Sequence, residues 1–402
     1  MSIKKEQILK KLYPEDMFEY TTKLTLGEAE VLQEVREIIE TDIRPVINQH
    51  WDEATFPYAE FFKLADAKIM NHPKLFEGRE REKRPRQIYN AFLYYELARF
   101  DASVATFFTV HGGLGYNTLL IGGSERQLEE FIPKVESFEW QTCFALTEPA
   151  HGSDIAGGLE TTARRDGDNW ILNGEKRWIG GADTADIIPV FARDIEDEKI
   201  KCFIVRKGAE GYQATPIPRK ISLRPVQNAH ITLEDVVVPE TDRLQNITGF
   251  ADVAKILINT RADVAHIATG VTGGAYVAAL NYVKKREQFG KKIGEFQITQ
   301  EKLARMQANV TAAIAYSVRL AELMDEGKYE MVNSSLAKMH NSLRMRETAA
   351  LAREIVGGDG ITLDTDVARL FADAESIYTY EGTHEINALI IGRELVGAGA
   401  FV

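Results

Sequence analysis

The sequence predicts an α+β multidomain chain: an α-helical N-terminal domain over residues 1–142, a β domain over 143–246 and a helical bundle over 247–402. Three observations carry this reading. Apolar residues recur at helical spacing in the first and last parts of the chain. Between them the period shortens and turn dipeptides appear. The composition, 45% apolar and 27% charged over 402 residues, is that of a globular protein with material for more than one core. At about 150 residues per domain, two or three domains are expected.

In the first region, "EAEVLQEVREIIETDI" places Val31, Val35, Ile38 and Ile39 at helical spacing, and "RQIYNAFLYYELARF" repeats the pattern. In the second, "TTARRDGDNWILNGEKRWIG" holds the turn dipeptides Asp166-Gly167 and Asn173-Gly174 between strand-like runs. Asn-Gly between alternating residues is the stronger hairpin signal of the two. "IIPVFAR", "IKCFIVRK" and "ITLEDVVVP" continue the β character. In the third, Leu303, Met306, Val310, Ile314, Val318 and Met324 form one stripe, which predicts core packing in a bundle.

Several function classes are set aside. A net charge of -12 disfavours binding to a phosphate backbone. The cysteines, Cys143 and Cys202, have no paired spacing, so neither a zinc motif nor a disulfide framework is expected, and no metal site is predicted. The N-terminal stretch reads as neither a secretory nor a transit signal. The closing "GAGAFV" is no peroxisomal address, and no apolar run reaches membrane-spanning length, so a cytoplasmic location is expected. No G-x-G-x-x-G follows a strand and no Walker A loop is present.

One short stretch, "IYTYEGTHEI" at 377–386, sets Glu381 between Tyr380 and Gly382. A carboxylate beside an aromatic wall is either a solvated turn residue or a group with chemistry to perform. Four blocks bear on the choice: "CFALTEPAHGSDIAGG" (143–158), "NGEKRWIGGADTAD" (173–186), "KKREQFGKKIGEFQ" (284–297) and "GGDGI…IYTYEGTHEINALIIGRE" (357–394). In content and order they resemble the acyl-CoA dehydrogenase and acyl-CoA oxidase superfamily, most nearly its glutaryl-CoA-dehydrogenase-like and plant-type short-chain oxidase subgroups. The resemblance spans nearly the whole chain. It implies a β-barrel-like middle domain, a C-terminal four-helix bundle, FAD as cofactor, and α,β-dehydrogenation of an acyl-CoA to a trans-2-enoyl-CoA.

By resemblance, Glu381 is the base for the α proton, with flavin N5 accepting the β hydride. Tyr380 walls the acyl pocket and Gly382 admits the substrate closely. Such a base must be aligned and poorly hydrated, and the thioester oxygen must meet hydrogen-bond donors. Some relatives carry the base at the position matching Thr260, which cannot serve, and this strengthens Glu381. Arg261 resembles an arginine near the CoA tail. Phe144, Leu146 and Thr147 match a strand against the flavin ring, Ser153 a serine at the pyrophosphate and substrate, and Trp178 the tryptophan packed on the flavin. Arg286, Phe289, Gln297 and Gly358 match contacts to the FAD of a neighbouring subunit, and Thr383 and Glu385 residues near its adenine end. A homo-oligomer, usually a tetramer, is implied.

Two departures inform specificity. Ala105 stands where glutaryl-CoA enzymes place the arginine for the distal carboxylate, so glutaryl-CoA is not expected as main substrate. Gly180 replaces the hydroxyl residue beside flavin N5. The leading expectation is a dehydrogenase for an uncharged straight acyl chain that passes electrons to electron-transfer flavoprotein. An oxidase delivering them to oxygen, and an inactive CoA/FAD-binding scaffold, are the alternatives.

Overall fold

The computed structural model describes residues 2–79 and 84–399. The N-terminal part is helical: α1 (Ile3–Leu12), α2 (Leu26–Ile38), α3 (Arg44–Glu53), α4 (Tyr58–Asp66), α5 (Gln87–Phe100), α6 (Ala102–Phe108), α7 (Tyr116–Gly122) and α8 (Glu125–Glu136). Local sequence sets the ends. Thr25 and Glu28 close a capping box on α2, and Ser124 and Gln127 close another on α8. Asp101 caps α6 by accepting from Ser103 and Val104 N–H. A π-helical segment, Thr109–Gly115, joins α6 to α7.

After the short α9 (Ile155–Gly158) come β1 (Thr162–Asp166), β2 (Asn169–Gly180), β3 (Ile187–Asp194), β4 (Ile200–Arg206), β5 (Tyr212–Pro216) and β6 (Asn228–Pro239). They form one mixed sheet in the order β4-β3-β1-β2-β6-β5, with β1 and β3 parallel and the other pairs antiparallel. Asp166-Gly167 does mark the β1–β2 hairpin, where Asp166 pairs with Asn169 and the loop residues are Gly167 and Asp168. Asn173-Gly174 does not turn the chain: it lies inside β2, where the register against β6 shifts. A bulge forms because the Asn173 side chain pairs with Asp235 through bonds of 2.9 Å each way. Gly174 has φ 146°, and a Cβ there would lie 2.7 Å from Thr161 Cα, so backbone proximity accounts for the glycine.

The C-terminal part contains α10 (Phe250–Val283), the two-residue strands β7 (Glu287–Gln288) and β8 (Lys291–Lys292), α11 (Gln297–Asp325), α12 (Met331–Val356), α13 (Asp366–Thr379) and α14 (His384–Val396). The predicted α11 stripe is core: Met306, Val310, Ile314 and Val318 are buried, with Leu303 and Met324 half-buried beside them. α10 approaches α5 so closely that a Cβ on Gly274 would fall 2.0 Å from Arg99 O. The helices before and after the β domain therefore share one apolar core, while the β domain keeps its own around Trp170, Val190, Phe203 and Ile231. The candidate site lies where α10 and the α13–α14 turn meet.

Candidate active site

The α13–α14 turn sets Glu381 in the left-handed region at φ 56°, followed by Gly382 at φ 88°. For a glutamate this conformation costs about 1–3 kcal/mol and persists only where its surroundings hold it. They do. Lys338 of α12, wholly buried, donates from Nζ to Tyr378 O and Gly382 O at 2.7 Å each. Asn387 Nδ2 donates to Gly382 O and Thr383 O at 2.9 Å. Thr383 caps α14 by accepting from Ile386 N–H. The Tyr380 hydroxyl lies 3.3 Å from Thr106 Oγ1.

From α10, Thr260 Oγ1 donates to Glu381 Oε2 at 3.4 Å, and Arg261 Nε donates to Glu381 O at 3.4 Å. Thr260 and Glu381 thus converge on one space. The buried Arg261 Nη1 has no hydrogen-bond partner among the described residues. Desolvation raises the proton affinity of Glu381, opposed by Arg261, the Thr260 hydroxyl and Lys338. Burial in turn lowers the Lys338 pKa to about 7. A carboxylate raised by desolvation, beside a guanidinium with one nitrogen free, is an arrangement suited to proton abstraction.

The Phe144–Thr147 segment is tied to β2. Arg177 N–H donates to Thr147 O at 2.8 Å, and Lys176, paired with Glu148 at 2.7 Å, donates to Leu146 O at 3.1 Å. Leu146 is buried, while Phe144 and Thr147 are half-buried. Trp178 stands on a β2 bulge at φ 67° with 53% of its surface exposed. Ser153 is exposed just ahead of α9. Gly180 is buried, and a Cβ on it would sit 3.1 Å from Val110 Cγ2, so Val110 fills the space that the missing side chain leaves.

The remaining predicted residues form a separate, exposed group. β7 and β8 make a small hairpin whose turn residues Phe289 and Gly290 both have positive φ, and Phe289 is 94% exposed. Arg286, Gln297 and Gly358 are also exposed. Tyr282 Oη donates to Asp359 at 2.8 Å and joins the end of α10 to the Gly357–Ile361 turn. Thr383 is half-buried and Glu385 exposed at the start of α14.

Sequence reasoning missed Lys338, Val110 and Asp263. Lys338 and Asp263 were findable as lone charges within the small and apolar runs "SSLAKM" and "ADVAHIA". Val110 carried no signal.

Three family models match in order: acyl-CoA dehydrogenase N-terminal domain over 26–139, middle domain over 143–236 and C-terminal domain over 248–396. The chain belongs to the acyl-CoA dehydrogenase family and is an FAD-dependent flavoprotein acting on acyl-CoA. It is 30% identical to the short-chain specific mitochondrial acyl-CoA dehydrogenase of Homo sapiens, covering 91% of this chain and 89% of that one. It is 33% identical to the caffeyl-CoA reductase-Etf complex subunit CarC of Acetobacterium woodii, over 75% and 80% of the two chains. A glutaryl-CoA dehydrogenase from Mycobacterium smegmatis, solved in complex with FADH2, superposes with a TM-score of 0.90 at 30% identity, covering 97% of this chain and 99% of that one. Among the described residues no helix is long and apolar enough to cross a membrane, and no cluster of metal-ligating side chains occurs.

Proposed function

We propose that the chain dehydrogenates an uncharged, straight-chain acyl-CoA to the trans-2-enoyl-CoA, with Glu381 removing the α proton. The observation that carries this is the braced, desolvated carboxylate of Glu381, held at φ 56° beside Thr260 and Arg261. Desolvation keeps the carboxylate basic, and the fixed turn aligns it, which is what abstraction from a weak carbon acid requires. The Glu381 backbone N–H is a donor for the thioester oxygen, where negative charge grows as the proton leaves. Arg261 offers its unpartnered Nη1 to the CoA moiety. Tyr380 and Gly382 bound the acyl chain.

FAD, when bound, supplies the acceptor for the hydride leaving the β carbon. The half-exposed Trp178 on its bulge and the Phe144, Leu146 and Thr147 segment give an apolar face with backbone donors for the ring, and Gly180 and Ser153 lie on the same domain. Arg286, Phe289, Gln297 and Gly358 serve the cofactor of a second copy of the chain. From Arg261 to the end of α10 at Val283 is roughly 33 Å at 1.5 Å per residue, beyond the reach of an arginine back to its own site. Thr383 and Glu385 lie at the N-terminus of α14, where backbone N–H groups face outward. The reading therefore includes a homo-oligomer, a tetramer by family resemblance.

Electron-transfer flavoprotein is the proposed acceptor, in line with a relative named as part of an Etf complex. Val110 against Gly180 argues against open space for oxygen there. Ala105 is buried and brings no cation for a second carboxylate. The test is Glu381→Gln under anaerobic single-turnover mixing with butyryl-CoA. Flavin reduction should fall about 10²–10⁴-fold or more while FAD stays bound. Near-normal reduction would place the base elsewhere.

A further inference from the structure

A cavity of about 350 Å³ lies between α5, the π-helical segment, α10 and the α11–α12 turn. It lies close to the candidate base: Asp263 on its wall is three residues beyond Thr260, about 4.5 Å further along α10, and feels the Glu381 charge. A pocket for plain hydrocarbon is lined mainly by apolar side chains. This one sets Asn90, Asn117, Asn259 and Asp263 in its wall among apolar residues such as Leu93 and Phe108.

Asp263 is the unusual member. It is buried, and among the described residues no cation pairs with it. Tyr94 Oη donates to Oδ2 at 3.0 Å, and no protein group donates to Oδ1 among the described residues. Desolvation pushes its carboxyl well up, opposed by the Tyr94 hydroxyl. The backbone is shaped around it. A Cβ on Gly113 would fall 2.7 Å from Asp263 Oδ2, 3.1 Å from Tyr94 Oη and 3.3 Å from Thr109 Oγ1. A side chain at that point of the π-helical segment would displace the Asp263 carboxylate, and such helix irregularities occur frequently at functional sites. The Thr109 hydroxyl is itself buried without a partner among the described residues. Unlike the Thr109 hydroxyl, Asp263 Oδ1 is not sealed off, so a group entering the cavity can meet this acceptor.

We propose that Asp263 and Tyr94 recognise a hydrogen-bond donor, a hydroxyl or a protonated amine, at the far end of the acyl chain. This rests on the acyl-CoA reading above and revises its chain end, which becomes a hydrogen-bond donor and stays uncharged only where that donor is a hydroxyl. The Oδ1 of Asp263 accepts from that donor, and Gly113 leaves room for both. Arg84, at the same cavity and bonded to Asn117 at 3.1 Å, is the competing determinant, since it would favour a distal carboxylate instead.

The experiment compares anaerobic flavin reduction by hexanoyl-, 6-hydroxyhexanoyl-, 6-aminohexanoyl- and adipyl-CoA. The unmodified protein should favour the hydroxy or amino chain over hexanoyl-CoA by about 10–100-fold in kcat/KM. Asp263→Ala and Gly113→Ala should bring that ratio close to one. Asp263→Asn should keep a preference for the hydroxyl but lose one for the ammonium, which separates the two donors. FAD content and melting temperature establish that each variant is folded, and either alanine variant suffices if the other is not. A preference for hexanoyl-CoA that Asp263→Ala leaves untouched overturns the proposal, as does a preference for adipyl-CoA, which assigns the pocket to Arg84. Reduction by none of the four removes the straight-chain substrate reading above as well, and is distinguishable from both.

Discussion

Replacing Lys338 by methionine takes away the ammonium beneath the Tyr378–Gly382 segment and keeps most of the side chain's length. In the intact protein Nζ donates to Tyr378 O and Gly382 O at 2.7 Å. Gly382 O keeps Asn387 as a donor, whereas Tyr378 O loses this one. A charge-assisted bond of this kind contributes about 1.5–3 kcal/mol, partly offset here by no longer burying the ammonium, so a net loss of about 1–2 kcal/mol is expected. The second effect is electrostatic. Lys338 lowers the proton affinity of Glu381, and its own pKa lies at about 7. Glu381 acts only when deprotonated, so the rate rises with pH through its pKa. The Lys338 charge, present below about 7, holds that rise at lower pH. Arg261, Asp263 and Glu385, which also face these groups, remain in place. In Lys338→Met the acid limb should move to higher pH. The deficit against the unmodified protein should be largest below neutrality and close on the alkaline side. Single-turnover flavin reduction by butyryl-CoA across the neutral range measures this, with Lys338→Arg expected to keep the limb nearer its original place. A loss that is equal at every pH would refute the electrostatic role and leave only a structural one.

Arg286→Ala should weaken FAD retention and loosen the oligomer, by about 1.5–3 kcal/mol for a charge-assisted contact; full flavination with unchanged mass by light scattering would count against the shared site. Butyryl- to octanoyl-CoA should reduce the flavin far better than glutaryl-CoA, because Ala105 is buried and uncharged; comparable kcat/KM for glutaryl-CoA would contradict this. Gly180→Thr should collide with Val110, 3.1 Å from the new Cβ, and cost about 1–3 kcal/mol in a thermal melt. Val110→Ala should relieve it; a Gly180→Thr protein as stable as its parent would show that the space is free.

The order helices, sheet, helices was legible in the sequence because periodicity is a local property. The α11 stripe from Leu303 to Met324 needed no knowledge of its partners to be recognised as core. The "YEGT" stretch by itself left two readings open, and Glu381 was singled out by the resemblance of four blocks in order along the chain. Asn173-Gly174 shows where that logic fails. The dipeptide permits a hairpin turn, but Asp235 on the neighbouring strand bonds the Asn173 side chain and makes it a bulge. Only the tertiary structure brought Thr260 against Glu381 across 121 residues, set Lys338 under the turn, closed Val110 over Gly180 and left Asp263 facing a cavity with a free oxygen. Each depends on which helix faces meet. That is decided by the shared core of the N- and C-terminal helices, through close approaches such as Gly274 on Arg99 and Gly113 on Asp263. The sequence by itself determined the elements, because spacing and turn chemistry act over a few residues, and it pointed to the candidate base through the resemblance its motifs carry. The surroundings of the candidate base, and the cavity beside it, arise from packing between segments far apart in the chain.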